Sequence, residues 1–162
     1  MEQNISFIGL SALGSSANCS THVVTGLGQM GYGMATNLRK KLSSKATMFI
    51  NDINADACDR FVKESGDYGP IVIVPSAKEA ASKSSILVSI VPASKHVRQV
   101  YLDEEHGVIA ATKDDSRLVL ECSTIDVDTT RQVGKAVMDA GRGRYVDAPV
   151  SVSLTLCNAS TV

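Results

Sequence analysis

The sequence predicts an α/β fold, in which a single domain is built on a doubly wound sheet of parallel strands. Two observations lead to this prediction. Short apolar runs alternate with segments of helical periodicity along the chain, and this alternation is typical of βαβ units. A Gly-x-Gly-x-x-Gly spacing at residues 26–31 precedes the first helical segment, where it favours an anion-binding turn. The 162 residues, 44% of them hydrophobic, suffice for one domain with a buried core.

Six strands and five helices are predicted. The middle strands are continuous apolar runs, which indicates burial on both faces of the sheet. Gly141 stands where a glycine would end the last helix, and Arg39-Lys40-Lys41 indicates a solvated end of the first helix. The strands are expected at Ile5–Ile8, Ala46–Ile50, Ile71–Val74, Ser85–Ile90, Arg117–Glu121 and Arg144–Val146. The helices are expected at about Met30–Leu42, Asn54–Glu64, Ala77–Ser82, Ser94–Tyr101 and Asp126–Ala140.

The glycine spacing at residues 26–31 matters because a dinucleotide pyrophosphate must approach backbone N–H groups closely at a helix N-terminus. A side chain at Gly26 or Gly28 would obstruct that approach, and Gly31 would let the helix pack tightly on its strand. Met30, Met34 and Leu38 form one apolar face of this helix. A flexible glycine-rich loop is the alternative interpretation of so short a motif.

An acidic residue, Asp52, follows the second predicted strand. A carboxylate at this position can accept hydrogen bonds from both hydroxyls of the adenosine ribose, and it repels a 2′-phosphate. The sequence therefore predicts NAD as the cofactor, with NADP disfavoured. The alternative role for Asp52 is a turn or capping residue before the helix that begins near Asn54.

Charge and cysteine content narrow the function classes. A net charge of −1 gives no basic excess for nucleic acid or an anionic membrane. No apolar run has the length of a membrane span, and the N-terminus lacks a leader pattern, so we expect an intracellular protein, cytoplasmic or mitochondrial. The four cysteines are scattered without a metal-ligand spacing, which favours reduced thiols over disulfides or a metal site; they are Cys19, Cys58, Cys122 and Cys157.

Four motifs in order resemble the cofactor domain of the 3-hydroxyisobutyrate (β-hydroxyacid) dehydrogenase family, which is related to 6-phosphogluconate dehydrogenase. The motifs are Gly26-Leu27-Gly28-Gln29-Met30-Gly31 with the helix that follows, Val91-Pro92-Ala93-Ser94, Cys122-Ser123-Thr124-Ile125-Asp126, and Asp147-Ala148-Pro149-Val150-Ser151. The resemblance implies a Rossmann-like domain over residues 1–151. It also implies an oxidoreductase that moves a hydride between a nicotinamide and a small β-hydroxyacid.

The resemblance assigns roles to individual positions. The pyrophosphate turn of the family corresponds to residues 26–31, which are Gly26, Leu27, Gly28, Gln29, Met30 and Gly31. Asp52 matches the ribose carboxylate. Val91 and Pro92 match the loop that borders the nicotinamide, and His96 lies on the following helix within reach of the cofactor; a helix-surface histidine is the alternative. Thr124 matches a cofactor-contacting hydroxyl, and Ser123 lies beside the reaction centre as a candidate substrate contact. Helix capping is the alternative for both hydroxyls.

The chain departs from the family pattern after Ser151. The family continues there with two glycines and a helical domain that supplies a catalytic lysine, whereas residues 152–162 contain no lysine. No catalytic residue is therefore predicted, and we expect this chain to be inactive alone. A noncatalytic cofactor-binding fragment is the alternative, and the oligomeric state is left open.

A second departure lies before the glycine turn. The family has two apolar residues before its first glycine; Phe7-Ile8 before Gly9 fits this pattern, and Val24-Thr25 before Gly26 does not. Removing residues 11–27 would join Leu10 to Gly28 and regenerate the family motif. We therefore hypothesise that residues 11–27 and 152–162 are translated non-coding sequence in a splice variant or gene prediction. The alternative makes residues 22–25 the first strand. Either interpretation predicts weak or absent NAD binding, because the turn works by placing several N–H groups together.

Overall fold

A computed structural model describes residues 5–9 and 29–150. Within them, six strands form one sheet in the order β3-β2-β1-β4-β5-β6, and every neighbouring pair is parallel. The predicted doubly wound parallel sheet is confirmed. The strands are β1 (Ile5–Gly9), β2 (Met48–Asn51), β3 (Ile71–Ile73), β4 (Ile86–Ile90), β5 (Leu118–Glu121) and β6 (Arg144–Asp147).

Five α-helices connect the strands, close to their predicted positions. Three of them begin at a side chain that accepts a hydrogen bond from a backbone N–H of the first turn: Asn54, Ser76 and Asp126. Two short 3₁₀ turns at Gly66–Tyr68 and Val108–Ala110 were not predicted, because three residues are too few to show a helical period. The helices are α1 (Gln29–Lys41), α2 (Ala55–Ser65), α3 (Ala77–Lys83), α4 (Ser94–Leu102) and α5 (Val127–Asp139).

The sheet separates two apolar clusters. Residues of α1 and α2 pack with one set of strand side chains, and residues of α3, α4 and α5 pack with the alternate set. This division follows from the period of two in a strand, which sends successive side chains to opposite faces. The predicted apolar face of α1 is confirmed, since Met30, Met34 and Leu38 all pack against the first cluster.

Strand β1 lies at the centre of the sheet. Its Ile8 is in register with Asn51 of β2 on one side and with Ser89 of β4 on the other. The prediction of a strand at Ile5–Ile8 is thereby confirmed. The alternative first strand at residues 22–25 lies outside the described residues.

The predicted solvated end of α1 is wrong for one of its three basic residues. Arg39 is fully buried, and its guanidinium donates to the carbonyls of Ser43 at 2.5 Å, Ala46 at 2.6 Å and Pro70 at 3.4 Å. Burial lowers the pKa of Arg39. Only Lys40 and Lys41 remain exposed. The Arg39 side chain turns inward, where these loop carbonyls supply its acceptors. The carbonyls of Ser43 and Pro70 also accept from the backbone N–H groups of Ala46 and Met48.

Gly141 ends α5 as predicted. Its φ of +66° lies in the left-handed region that favours glycine. None of the helices within residues 5–9 and 29–150 is long and apolar enough to cross a membrane.

Candidate dinucleotide site

One row of residues crosses the sheet near the carboxyl ends of its strands. The pairing register aligns Asn51, Ile8, Ser89, Glu121 and Asp147. The candidate site residues after β2, β4 and β5 follow this row by one to three positions, so they lie along the same edge of the sheet. At about 4.8 Å per strand, the ends of β2 and β5 are roughly 14 Å apart, so one ligand that contacts both must be elongated.

The topology places a crevice at this edge. Strand β1 leads to α1 on one face, whereas β4 and β5 lead to α4 and α5 on the other face. The strand order therefore reverses between β1 and β4, and ligands of open α/β sheets bind at such a point. Helix α1 begins at Gln29. Its first turn holds Met30, which is half-buried, and Gly31, which is buried. Gly26, Leu27 and Gly28 lie outside the described residues.

Asp52 lies directly after β2, as predicted. It is half-buried, and its Oδ1 accepts a hydrogen bond from the backbone N–H of Asn54 at 2.8 Å. This bond forms a tight turn that fixes the carboxylate at the edge of the sheet. The helix cap itself is Asn54, whose side chain accepts from Ala57 N–H. Asp52 is therefore a turn residue that lies directly after β2, at the edge of the sheet.

The loop after β4 carries Val91, which is buried, and Pro92, which is exposed. His96 lies in the first turn of α4 and is half-buried. Desolvation, followed by the nearby Lys95 charge, lowers the pKa of His96. Within the described part of the chain, the buried Nδ1 of His96 has no hydrogen-bond partner. The lowered pKa favours the neutral imidazole.

The loop after β5 presents two neighbouring hydroxyls in different environments. Thr124 is exposed at the edge. Ser123 is almost fully buried, and its Oγ accepts a 2.7 Å hydrogen bond from Val91 N–H. A second contact joins the same two loops, because the Ser94 hydroxyl donates to the carboxylate of Asp126 at the start of α5. The loops after β4 and β5 are therefore held together at two points.

Beneath these loops lies a buried polar chain that the sequence analysis did not identify. Ser123 N–H donates to Glu121 Oε1 at 2.8 Å, and the Ser89 hydroxyl donates to Glu121 Oε2 at 2.5 Å. The hydroxyl of Tyr101 lies 2.5 Å from Ser89 Oγ. Because the single proton of Ser89 points to Glu121, Tyr101 is the donor in this last bond. The chain runs from Tyr101 through Ser89 and Glu121 to Ser123.

Burial dominates the electrostatics of this polar chain. Desolvation raises the pKa of Glu121, and the hydrogen bonds from Ser123 and Ser89 oppose the rise. Desolvation likewise raises the pKa of Tyr101 well above its ordinary value. The sequence does contain a signal for this polar chain, since Ser89 lies within the otherwise apolar strand β4 and Glu121 ends the otherwise apolar strand β5. Polar residues in such runs need partners, but their partners depend on the register.

The cysteines of the described residues are free and buried. Burial raises the pKa of Cys58 and of Cys122 to about 11, so both thiols are protonated at pH 7. Among residues 5–9 and 29–150, no group of three or more His, Cys, Asp or Glu side chains is placed to hold a metal ion. Cys19 and Cys157 lie outside the described residues.

The strand order 3-2-1-4-5-6, an acidic residue after β2 and a helix beginning after β1 define a dinucleotide-binding domain of the Rossmann class. Residues 21–158 match the family described as the NAD binding domain of 6-phosphogluconate dehydrogenase. The chain belongs to this family. The match begins at residue 21, whereas the central strand β1 is formed by Ile5–Gly9.

Individual relatives agree with this assignment. An NAD-dependent L-serine dehydrogenase of Pseudomonas aeruginosa is 36% identical over 126 residues, which are 78% of this chain and 39% of that protein. A probable mitochondrial 3-hydroxyisobutyrate dehydrogenase of Dictyostelium discoideum is 33% identical over 137 residues, 85% of this chain and 39% of that protein. The chain thus spans about two fifths of the length of these relatives.

Solved structures show the same fold. The 3-hydroxyisobutyrate dehydrogenase of Mycobacterium tuberculosis, solved with L-serine, superposes with a TM-score of 0.67 at 24% identity; the superposition covers 96% of this chain and 43% of that chain. The Salmonella typhimurium 3-hydroxyisobutyrate dehydrogenase gives a TM-score of 0.66 at 25% identity, covering 95% of this chain and 44% of that chain. The chain corresponds to the NAD-binding domain of such oxidoreductases.

Proposed function

We propose that the sheet edge after β1, β2, β4 and β5 binds NAD in an extended conformation, as the cofactor domain of a dehydrogenase acting on a small β-hydroxyacid. The observation that carries the proposal is the reversal of strand order between β1 and β4, with α1 beginning at that point. The pyrophosphate would meet the N-terminus of α1, where N–H groups and the helix dipole favour anions.

The side chains along the sheet edge indicate where each end of the cofactor would bind. Asp52 accepts hydrogen bonds from the adenosine ribose, and its charge disfavours a 2′-phosphate. Val91, Pro92 and Thr124 contact the nicotinamide half, with His96 within reach from α4. Ser123 is buried and contacts the backbone of Val91. It is the candidate residue nearest to the substrate.

The substrate class follows from the family and from its named relatives. L-Serine and 3-hydroxyisobutyrate are both small acids with a hydroxyl on the β-carbon. A protein that oxidises them transfers hydride from that carbon to C4 of the nicotinamide, and a side chain takes the hydroxyl proton. The resemblance assigns the proton transfer to a lysine beyond Ser151, and residues 152–162 contain none.

Calorimetric titration with NADH tests the cofactor site. We expect the full chain to bind more weakly than micromolar, and a variant lacking residues 11–27 to bind at least roughly tenfold more tightly, because the deletion places Gly9-Leu10 directly before Gly28. Micromolar binding by the full chain would contradict the effect assigned to residues 11–27. Absence of binding by both proteins at millimolar NADH would overturn the proposed site.

Cofactor choice is tested by Asp52→Asn with Asp56→Asn as the matched control. Asparagine at 52 keeps an oxygen that can accept from Asn54 N–H but removes the charge, whereas Asp56 is exposed in the first turn of α2. The ratio of NADPH affinity to NADH affinity should rise roughly fivefold in Asp52→Asn, an effect of about 1 kcal/mol for one nearby charge. An unchanged ratio would remove Asp52 from the ribose site.

A further inference from the structure

We propose that Glu121 is a positioning residue that holds the nicotinamide half of the site in place through Ser123. This inference rests on the proposed function for its ligand, but the contacts that carry it belong to the described residues. Glu121 lies at the end of β5 and is fully buried, two residues before Ser123.

The carboxylate of Glu121 uses both of its oxygens for different elements. Oε1 accepts from Ser123 N–H, and Oε2 accepts from the hydroxyl of Ser89 on β4. Ser123 Oγ then accepts from Val91 N–H. One side chain therefore determines the course of the β5 loop directly and of the β4 loop through Ser123.

Tyr101 anchors the opposite end of this polar chain. Its ring is fully buried in the cluster beneath α4 and meets the ring of Tyr145 at an edge-to-face distance of 5.6 Å. Its hydroxyl is bonded to Ser89 Oγ. Contacts of Glu121 thus reach Tyr101 through Ser89 on one side and the Val91 backbone through Ser123 on the other.

No cation neutralises Glu121 through a hydrogen bond or ion pair in the described part of the chain. A carboxylate buried with hydroxyl and amide partners alone costs free energy. Apolar residues would fill the end of β5 without this cost. The contacts to Ser89 and Ser123 are the compensating feature, and they lead to the two loops of the candidate site.

The experiment compares Glu121→Gln with Glu121→Met in the full chain. Glutamine can accept from Ser123 N–H and donate to Ser89 Oγ. It therefore keeps the hydrogen bonds of the polar chain and removes only the charge. Methionine has similar length, but its thioether sulfur is only a weak acceptor and it has no donor. Amide hydrogen exchange at Val91 and Ser123 is the first readout, with Ile50 of β2 as a reference for the remainder of the sheet.

We expect exchange at Ser123 and Val91 to accelerate at least roughly fivefold in Glu121→Met, to stay within about twofold of wild type in Glu121→Gln, and to stay unchanged at Ile50. Equal acceleration at Ile50 would reveal a general loss of stability and overturn the positioning role. Unchanged exchange at Ser123 and Val91 would also overturn it. If Glu121→Met does not fold, Ser89→Ala, which removes the contact to Oε2, takes its place with the same expected result.

Ligand affinity supplies the second readout. Glu121→Met should weaken NADH binding while leaving ADP-ribose binding unchanged, because ADP-ribose lacks the nicotinamide that the two loops contact. Equal weakening of both ligands would contradict the inference. If the wild-type chain binds neither ligand, the comparison is made in the variant lacking residues 11–27. If that variant also binds neither ligand, the proposed function fails, whereas the exchange rates still decide whether Glu121 holds the loops.

Discussion

The backbone N–H of Val91 donates a 2.7 Å hydrogen bond to the side-chain oxygen of Ser123, across 32 positions of sequence. This bond joins the loops that follow two neighbouring parallel strands, β4 and β5. A loop at the edge of a sheet would otherwise move independently of its neighbour. The bond therefore holds the two loops of the candidate site against each other.

Ser123→Ala tests that bond against Thr124→Ala. Removal of the Ser123 hydroxyl leaves Val91 N–H without its acceptor, at a cost of about 1–3 kcal/mol for a buried donor. Hydrogen exchange at Val91 should accelerate roughly fivefold or more in Ser123→Ala. Thr124 is exposed, so Thr124→Ala should leave exchange at Val91 unchanged and weaken NADH binding only. Equal exchange rates at Val91 in both variants would show that Ser123 does not hold the loop.

The raised pKa of Glu121 predicts a pH dependence of stability. A carboxyl group whose pKa is higher in the folded chain than in the unfolded chain binds more protons when folded, over the interval between the two values. The wild-type free energy of unfolding should therefore fall as pH rises from about 4.5 through the folded-state pKa of Glu121.

Glu121→Gln isolates this dependence because glutamine does not titrate. The free energy of unfolding of Glu121→Gln minus that of wild type should increase with pH across that interval and become constant above it. Denaturant unfolding at several pH values measures the difference. A difference that is constant from pH 4 to pH 8 would contradict the raised pKa.

Gly69 and Gly66 form a matched pair for a test of backbone conformation. Gly69 has a φ of +136°, and an added Cβ would lie 2.9 Å from both Arg39 Nη2 and the Ser44 carbonyl oxygen. Gly66 has a φ of −63° and open space around it. Gly69→Ala should destabilise the fold by about 1–3 kcal/mol, whereas Gly66→Ala should be neutral or stabilise it by up to about 1 kcal/mol. The midpoints of thermal unfolding of the two variants test this difference. Equal midpoints would contradict the strain assigned to residue 69.

Arg39 provides a test of the buried guanidinium. Arg39→Met keeps much of the apolar volume but leaves the carbonyls of Ser43 and Ala46 without these donors. The free energy of unfolding should fall by at least about 1–3 kcal/mol. Lys40→Met, at the exposed neighbouring position, should change it by less than about 0.5 kcal/mol. Equal effects of the two substitutions in denaturant unfolding would show that the buried contacts of Arg39 contribute nothing specific.

The sequence by itself determined the alternation of strands and helices and the edge at which the candidate site lies. Apolar periodicity reports local conformation directly, and in a parallel sheet every strand ends at the same edge, so Asp52, Val91 and Thr124 could be placed there without coordinates. The choice of Ile5–Ile8 as a strand also followed from composition, because three of its four residues, Ile5, Phe7 and Ile8, are apolar.

Only the tertiary structure decided which polar residues support that edge. Ser89 meets Tyr101 across 12 positions and Glu121 across 32. The contact with Glu121 exists because the register pairs β4 with β5, and the contact with Tyr101 exists because α4 packs on the same face of the sheet. Arg39 is buried for a similar reason, since its acceptors come from loops at Ala46 and Pro70 that the fold brings together. A sequence pattern indicates which buried polar side chains need hydrogen-bond partners. Strand pairing and helix packing between distant parts of the chain determine which residues those partners are.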